Sequence, residues 1–293
     1  MANIKYLFIS LMFLLRMVHT KSRNAIYPLS EVPRFILMDN EVPWDYNLPS
    51  YDPPEYNAKS IFNQPWADPK IDDVNFNPKY NEIDGKINRK SHNGVYNVKN
   101  KTPLNPMGRT GIKGRGRLGR WGPNHAADPI VTRWKLMGGD KVLNEMTNLP
   151  ILQFCGVQRR DNGQWALPGG MVDPGEKVSE TLKREFLEEA MNSLEATEEQ
   201  RKVDSEIVEN FFKNGVEIYK GYVDDPRNTD NAWMETVAVN FHDNTGEILD
   251  KFNLKAGDDA KNVTWIDIDK NLDLYASHLQ FIEKVVEKHK SHW

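Results

Sequence analysis

The stretch at residues 169–192, GGMVDPGEKVSETLKREFLEEAMN, decides how the rest of the chain reads. It begins inside a loop, LPGGMVDPGE at residues 167–176, with three glycines and two prolines. Such a loop brings backbone close to a ligand and then enters a helix at Glu176, whose charge suits a helix N-terminus. The pattern over residues 177–192 is helical: at about 100° per residue, Val178, Leu182, Phe186 and Ala190 form one apolar stripe. With Glu185 at zero, Val178 projects near about +20°, Leu182 near +60° and Phe186 near +100°. Glu189 falls near about +40°, inside the stripe, and Glu188 near −60° on the other side. The carboxylates therefore edge into the packing face.

A solvated acidic face explains Glu180 but not Glu189. A buried carboxylate without a partner is costly and tends to protonate. Carboxylates crowded at i, i+3 and i+4 also repel one another. One cation, Arg184, cannot neutralise Glu185, Glu188 and Glu189 together. A divalent metal can, and oxygen-only ligands with room for water suit magnesium or manganese better than zinc.

Gly170, five residues, Glu176, seven residues, then Arg184-Glu185-Phe186-Leu187-Glu188-Glu189 resembles the Nudix box. Met191 departs from it, standing where the family usually has glycine, at the helix end. The resemblance implies an α/β/α sandwich around a mixed β-sheet and metal-dependent hydrolysis of a diphosphate attached to a nucleoside. It implies that Glu185, Glu188 and Glu189 hold Mg²⁺ or Mn²⁺ and that Arg184 orients them. A loop acid supplies a general base or a further metal ligand in related enzymes; Asp258 and Asp259 in AGDDAKN are the candidates, and plain turn chemistry is the alternative. The resemblance extends to residues 108–134, 221–236 and LYASH at 274–278, which are similar to the ADP-ribose pyrophosphatase branch and to the ADP-ribose sensor region of melastatin-type cation channels.

That wider likeness implies cleavage of ADP-ribose to AMP and ribose 5-phosphate, with a non-hydrolysing sensor or another nucleotide substrate as alternatives. On the loop DDPRNTDNAW, Arg227 suits a phosphate and Asp225 suits ribose hydroxyls, against a salt-bridged turn. His125 and His278 are either ligand contacts or satisfied core histidines, Trp233 and Tyr275 either stack on adenine or fill core, and Gly170 lies at the substrate. GRTGIKGRGRLGRWG, residues 108–122, holds six glycines and five basic residues, Arg109, Lys113, Arg115, Arg117 and Arg120. It reads either as a phosphate contact or as a solvent-exposed hinge.

The chain of 293 residues is 39% hydrophobic and 27% charged, which implies a folded protein, and its net charge of −4 argues against a general nucleic-acid binder. Fourteen of 17 prolines lie at or before Pro150. Three parts are expected: a targeting segment at 1–24, an irregular proline-rich accessory domain at 25–122, and the Nudix domain at 123–293. Strands are expected at 151–158, 216–225, 234–243 and 262–269, with a helix from Thr197, capped by TEEQ and apolar at Val203, Ile207, Val208 and Phe211, and a final helix around 275–289. The lone Cys155 reads as a buried small hydrophobe. YLFISLMFLL at 6–15 is too short to span a bilayer, and no acid precedes Glu31. A signal peptide and a mitochondrial presequence both fit; removing 1–24 takes away Lys5, Arg16, Lys21 and Arg23 and shifts the charge from −4 to −8. The expected protein is a monomer, with no membrane span once mature and a small-molecule substrate.

Overall fold

The structure is a computed structural model and describes residues 19–252, 254–257 and 260–293. It divides into two compact units. The first runs to Asn124 and takes in Tyr222–Glu235; the second comprises His125–Gly221 and Thr236–Trp293. The sequence suggests one cut near residue 122, whereas the chain leaves the second unit and re-enters it. Tyr222–Glu235 joins the first unit because its polar side chains are bonded there: Asp230 accepts from Thr110 N–H at 2.7 Å, Thr110 Oγ1 at 2.9 Å and Tyr51 Oη at 2.6 Å.

The first unit is irregular, with strands of two to four residues and single 3-10 turns, as its prolines require. Tyr27, Leu37, Ile61, Ile112 and Trp121 are buried in it. Its centre is also ionic. Asp68 takes the Arg89 fork at 2.8 and 2.9 Å, Arg120 at 3.0 Å and the Trp121 N–H at 2.9 Å, contacts that outweigh burial and lower its carboxyl pKa.

The 108–122 stretch lies inside this unit and is no solvent-exposed hinge; of its basic residues Arg109 and Arg115 are buried, and Lys113, Arg117 and Arg120 are half-buried. Arg109 is spent on the carbonyls of Glu41, Pro43 and Tyr46, and Arg115 on those of Asp68 and Gly119. The glycines permit close approach: a Cβ on Gly111, at φ +83°, would meet the Phe35 carbonyl oxygen at 2.3 Å. Trp233 is likewise core, fully buried, edge-on to Tyr96 at 5.1 Å and donating from Nε1 to Glu235 at 2.7 Å.

The second unit is built on a seven-stranded sheet. In chain order its strands are β1 (Gly122–Trp134), β2 (Leu152–Arg159), β3 (Trp165–Ala166), β4 (Gly170–Met171), β5 (Val216–Tyr222), β6 (Ala232–Asp243) and β7 (Ala260–Asp267). The order β3-β2-β1-β6-β5 forms the path, with β4 paired to β1 and β7 to β2. β2 is antiparallel to β1, β3 and β7, and β4 is antiparallel to β1. Contacts from β1 to β6 keep a nearly constant separation, 108 for Asp128–Thr236, 110 for Ile130–Asn240 and 109 for Thr132–Phe241, as parallel neighbours do. The sheet is therefore mixed.

β1 is the element that local sequence hides, because Pro123 and Pro129 argue against a central strand. The register resolves this. β4 pairs with Ala126 and Ala127, β2 pairs from Thr132 onward, and Pro129, with no N–H to give, falls in the gap between the two partners.

The helices are α1 (Val178–Glu189), α2 (Glu198–Phe211) and α3 (His278–His289). Leu182 and Phe186 of α1 and Val208 and Phe211 of α2 pack with Ala127, Val131, Cys155 and Phe241 on one sheet face. Cys155 is fully buried there and burial pushes its thiol pKa up. Alternate residues point the other way, toward α3: Trp134 and His242 contact His289, and His289 bonds Asn240 at 2.8 Å. Thr197 caps α2 by accepting from Gln200 N–H at 3.2 Å, as expected. Val203, however, is 52% exposed. The buried stripe of α2 runs through Asp204, Val208 and Phe211, and Asp204 is tolerated because Gln200 donates to it at 2.7 Å. Tyr275–Ser277 precede α3 and are not part of it. Among the described residues no helix is long and apolar enough to cross a membrane.

His242 generates a pH prediction. Its Nδ1 lies 3.0 Å from Thr132 Oγ1, its ring is 4.2 Å from that of His289, and Asp243 and Lys141 also act on it. Burial, reinforced by His289 and Lys141, lowers its pKa from 6.5 to about 4. The unfolded chain then takes up the proton first as pH falls, so the contribution is complete above 6.5 and lost on the way to 4. The expected loss of unfolding free energy across that window is at most about 3 kcal/mol. His242→Asn makes the acid limb of a denaturant-midpoint-versus-pH curve shallower; an unchanged limb excludes His242 as its source.

Candidate functional site

The site lies in the second unit, where β4 and the loop before α1 meet α1 itself. Gly170 on β4 leaves the space that Glu185 occupies: a Cβ there would come within 2.3–2.5 Å of all three carboxyl atoms of Glu185 and force that carboxylate to shift. The Gly169 N–H donates to Glu189 Oε2 at 2.9 Å. Two neighbouring residues of one strand entry thus touch two carboxylates of the helix.

Arg184 organises the acids from the other side. Its Nε and Nη2 fork onto Glu176 at 2.9 and 3.0 Å, Nη1 reaches Glu185 at 2.8 Å and Glu188 at 3.3 Å, and Nη2 also donates to the Met171 carbonyl at 3.0 Å. The Arg184 fork, helped by the Thr181 hydroxyl, lowers Glu176 to about 2, and the same carboxylate raises Arg184. Glu185 behaves oppositely. It is 8% exposed, and burial, with Glu188 and Glu176 repelling it, raises its pKa to about 7 although Arg184 pulls it down. A carboxylate so far raised is one whose negative charge lacks a full counter-charge. Glu188 and Glu189 are only partly buried. An all-oxygen set on one helix edge, a glycine cradle against Glu185 and this deficit of positive charge fit a hard divalent cation.

The helix end explains Met191. α1 is capped by Ala190, Met191 is buried core, and the left-handed conformation falls on Asn192, at φ +50°. Asparagine tolerates that conformation, so no glycine is needed one residue earlier. The Lys255 N–H donates to the Ala190 carbonyl at 2.8 Å and the Gly257 N–H to that of Glu189 at 3.1 Å. Asp258 and Asp259, the candidate loop acids, lie outside the described residues; the chain leading to them starts at this helix end.

His278 holds the other end of the loop. Its Nδ1 accepts from the Leu167 N–H at 2.9 Å, which puts the neutral ring's proton on Nε2. Tyr275 has the Arg159 guanidinium 4.3 Å over its ring, so that face is taken. The His125 carbonyl accepts from Val172 N–H at 2.9 Å, bracing β1 against the loop. Asp225 and Arg227 belong to the first unit, where they form a fork of 2.9 and 2.7 Å with Asp225 2% exposed, a salt-bridged turn. Asp128 was not legible as a site residue. It is 7% exposed on β1, accepts from Thr236 Oγ1 at 2.6 Å, and its Oδ1 would lie 2.3 Å from a Cβ on Gly169. An acid inside the apolar run AADPIV was the available signal.

Comparison with known proteins decides the family. The NUDIX domain model matches residues 143–285, and the NUDT9-like N-terminal domain model matches 37–122. The chain is 54% identical over 278 residues to a rat protein named ADP-ribose pyrophosphatase, mitochondrial, covering 94% of this chain and 79% of that one. It belongs to the Nudix family. A Caenorhabditis elegans relative named putative nudix hydrolase 6 is 51% identical, with 93% and 98% covered. A sea-anemone (Nematostella vectensis) protein named transient receptor potential cation channel subfamily M member-like 2 is 50% identical over 93% of this chain, which spans 18% of that much longer protein. The chain is thus a Nudix hydrolase with a NUDT9-like N-terminal domain.

Gly170→Ala tests the cradle. The added methyl group displaces the Glu185 carboxylate while the core behind α1 stays filled. Manganese affinity measured by calorimetry is expected to fall about tenfold or more, with the far-ultraviolet circular dichroism unchanged. Unaltered affinity removes Glu185 and Gly170 from the metal site.

Proposed function

We propose that this Nudix hydrolase cleaves the diphosphate of ADP-ribose, releasing AMP and ribose 5-phosphate, with Mg²⁺ or Mn²⁺ as cofactor and the mitochondrion as its compartment. The observation that carries the reading is an unbroken carboxylate set beside Gly170, Glu185 and Glu188 bonded to Arg184 and Glu189 to the Gly169 N–H, in a chain 54% identical to the rat enzyme over most of both lengths. The name of the rat relative supports the compartment, and the acid-free, basic start of the chain is compatible with it.

Glu185, Glu188 and Glu189 hold the metal in this reading. A metal bound there would neutralise the diphosphate and lower the pKa of a bound water, so that the water can give up a proton as it attacks phosphorus. The remaining work belongs to the chain. Arg184 ties Glu185 and Glu188 of α1 to Glu176 of the preceding loop, and its bond to the Met171 carbonyl ties that edge to β4. One acid among Glu185, Asp258 and Asp259 takes the water's proton. The water oxygen bonds to one phosphorus, the bridging P–O bond breaks, and the departing phosphate keeps the bridging oxygen. Arg227 is assigned to phosphate, with Asp225 holding its guanidinium, and Tyr275, His278 and His125 to further substrate contacts; for His278 the donor is Nε2–H.

Incubation with ADP-ribose and magnesium, followed by chromatography, is expected to show equimolar AMP and ribose 5-phosphate, with other diphosphate nucleosides turned over more slowly in a panel at equal concentration. Glu188→Gln with Glu189→Gln is expected to lower turnover about 100-fold or more, with unchanged melting. ADP-ribose binding without AMP formation overturns the hydrolytic reading in favour of a sensor, and near-normal turnover in the double variant removes the assigned metal site.

A further inference from the structure

The first described residues of the chain are anchored, not loose. Asp224 collects the backbone N–H groups of Thr20 at 2.6 Å, Lys21 at 2.8 Å and Ser22 at 3.1 Å, together with the Ser22 hydroxyl at 2.9 Å. Three successive amides around one carboxylate make an anion-binding nest. His19 is 3% exposed; its Nε2 donates to the Arg109 carbonyl at 2.7 Å, which leaves Nδ1 to accept from the Tyr222 hydroxyl at 3.2 Å. Arg23, 7% exposed, donates to the carbonyls of His19 at 2.6 Å and Leu37 at 3.2 Å and pairs with Asp39. Asn24 closes the segment with reciprocal bonds to the Leu37 backbone at 2.9 and 3.0 Å. All of these groups lie within the first unit.

The sequence places a targeting segment at 1–24, but Lys21 and Arg23 do not behave as leader charges here. We infer that residues 19–24 are a structural strap kept in the mature protein, so that proteolytic removal of the leader stops at or before the bond preceding His19, and that the strap fixes the loop carrying Asp225 and Arg227 through their neighbour Asp224. A cut after Asn24 would strip the Asp224 carboxylate of all four of these donors and the Arg109 carbonyl of its buried partner, leaving polar groups to be satisfied anew. The leader then consists of the apolar run at 6–15 and its flanking Lys5 and Arg16. The second half of the inference rests on the assignment of Arg227 to substrate; the first half does not.

The test uses the whole precursor, expressed in eukaryotic cells, with the processed protein recovered and its N-terminus read by sequencing and intact mass. A start at or before His19 is expected. A start at Ala25 or later in fully active, normally melting protein overturns the inference. Asp224→Ala in the same precursor is the second arm. Trypsin cleavage after Lys21 and Arg23 is expected to accelerate about tenfold, because it follows the open fraction of the strap. The KM for ADP-ribose rises several-fold with kcat little changed. Unchanged protection of both bonds sinks the strap even if the protein proves inactive on ADP-ribose, and a rise in cleavage without a change in KM confines its role to stability.

Discussion

One guanidinium sets the terms for the second unit. Arg184 spends two nitrogens on Glu176 and shares the third between Glu185 and Glu188, so a single positive charge faces three carboxylates, one in the loop before α1 and two on the helix. It fully compensates only the first of them, driving Glu176 to about 2 while Glu185, more deeply buried, rises to about 7. The same cation that gives α1 its geometry thereby leaves the opposite edge short of positive charge. A structural salt bridge would not be arranged this way, since leaving a buried carboxylate partly unpaired costs stability. Such a deficit suits a doubly charged ion.

Such an edge persists only because the other side of α1 is strongly anchored. Leu182 and Phe186 pack into a cluster with Phe211, Phe212, Phe241 and Phe252, where the Phe212 and Phe241 rings stack at 4.0 Å. Emptying a site of this kind, as in Phe→Ala, typically costs about 3–5 kcal/mol. Apolar packing and carboxylates are thus divided by helix face, and β4, Gly170 and the His278–Leu167 bond hold the loop to the charged one.

The first unit reaches order by a different route. Its strands are too short to bury a continuous apolar face, and aspartates take the role of joints: Asp68 for Arg89 and Arg120, Asp230 for Thr110 and Tyr51, Asp224 for residues 20–22. Each joint links segments distant in the chain. Fully satisfied polar networks of this type specify one arrangement more sharply than they add stability.

The sequence by itself determined the carboxylate helix, its phase against the apolar stripe, the α/β alternation after residue 150, the Thr197 cap and the buried Cys155. All of these are local periodicities or fixed spacings, and a helix or strand exposes them within one or two turns. Tertiary structure alone decided β1, whose prolines are harmless only because its partner strand changes beside Pro129. It alone turned Val203 outward and Asp204 inward, buried Arg109 and Arg115, recruited Asp128 beside Gly169, and assigned Tyr222–Glu235 to the first unit. Whether an arginine or aspartate faces water or a partner depends on groups some 50 to 200 residues away, as Asp224 and residues 20–22 show. No local pattern carries that information, because it is created only when distant segments close on one another.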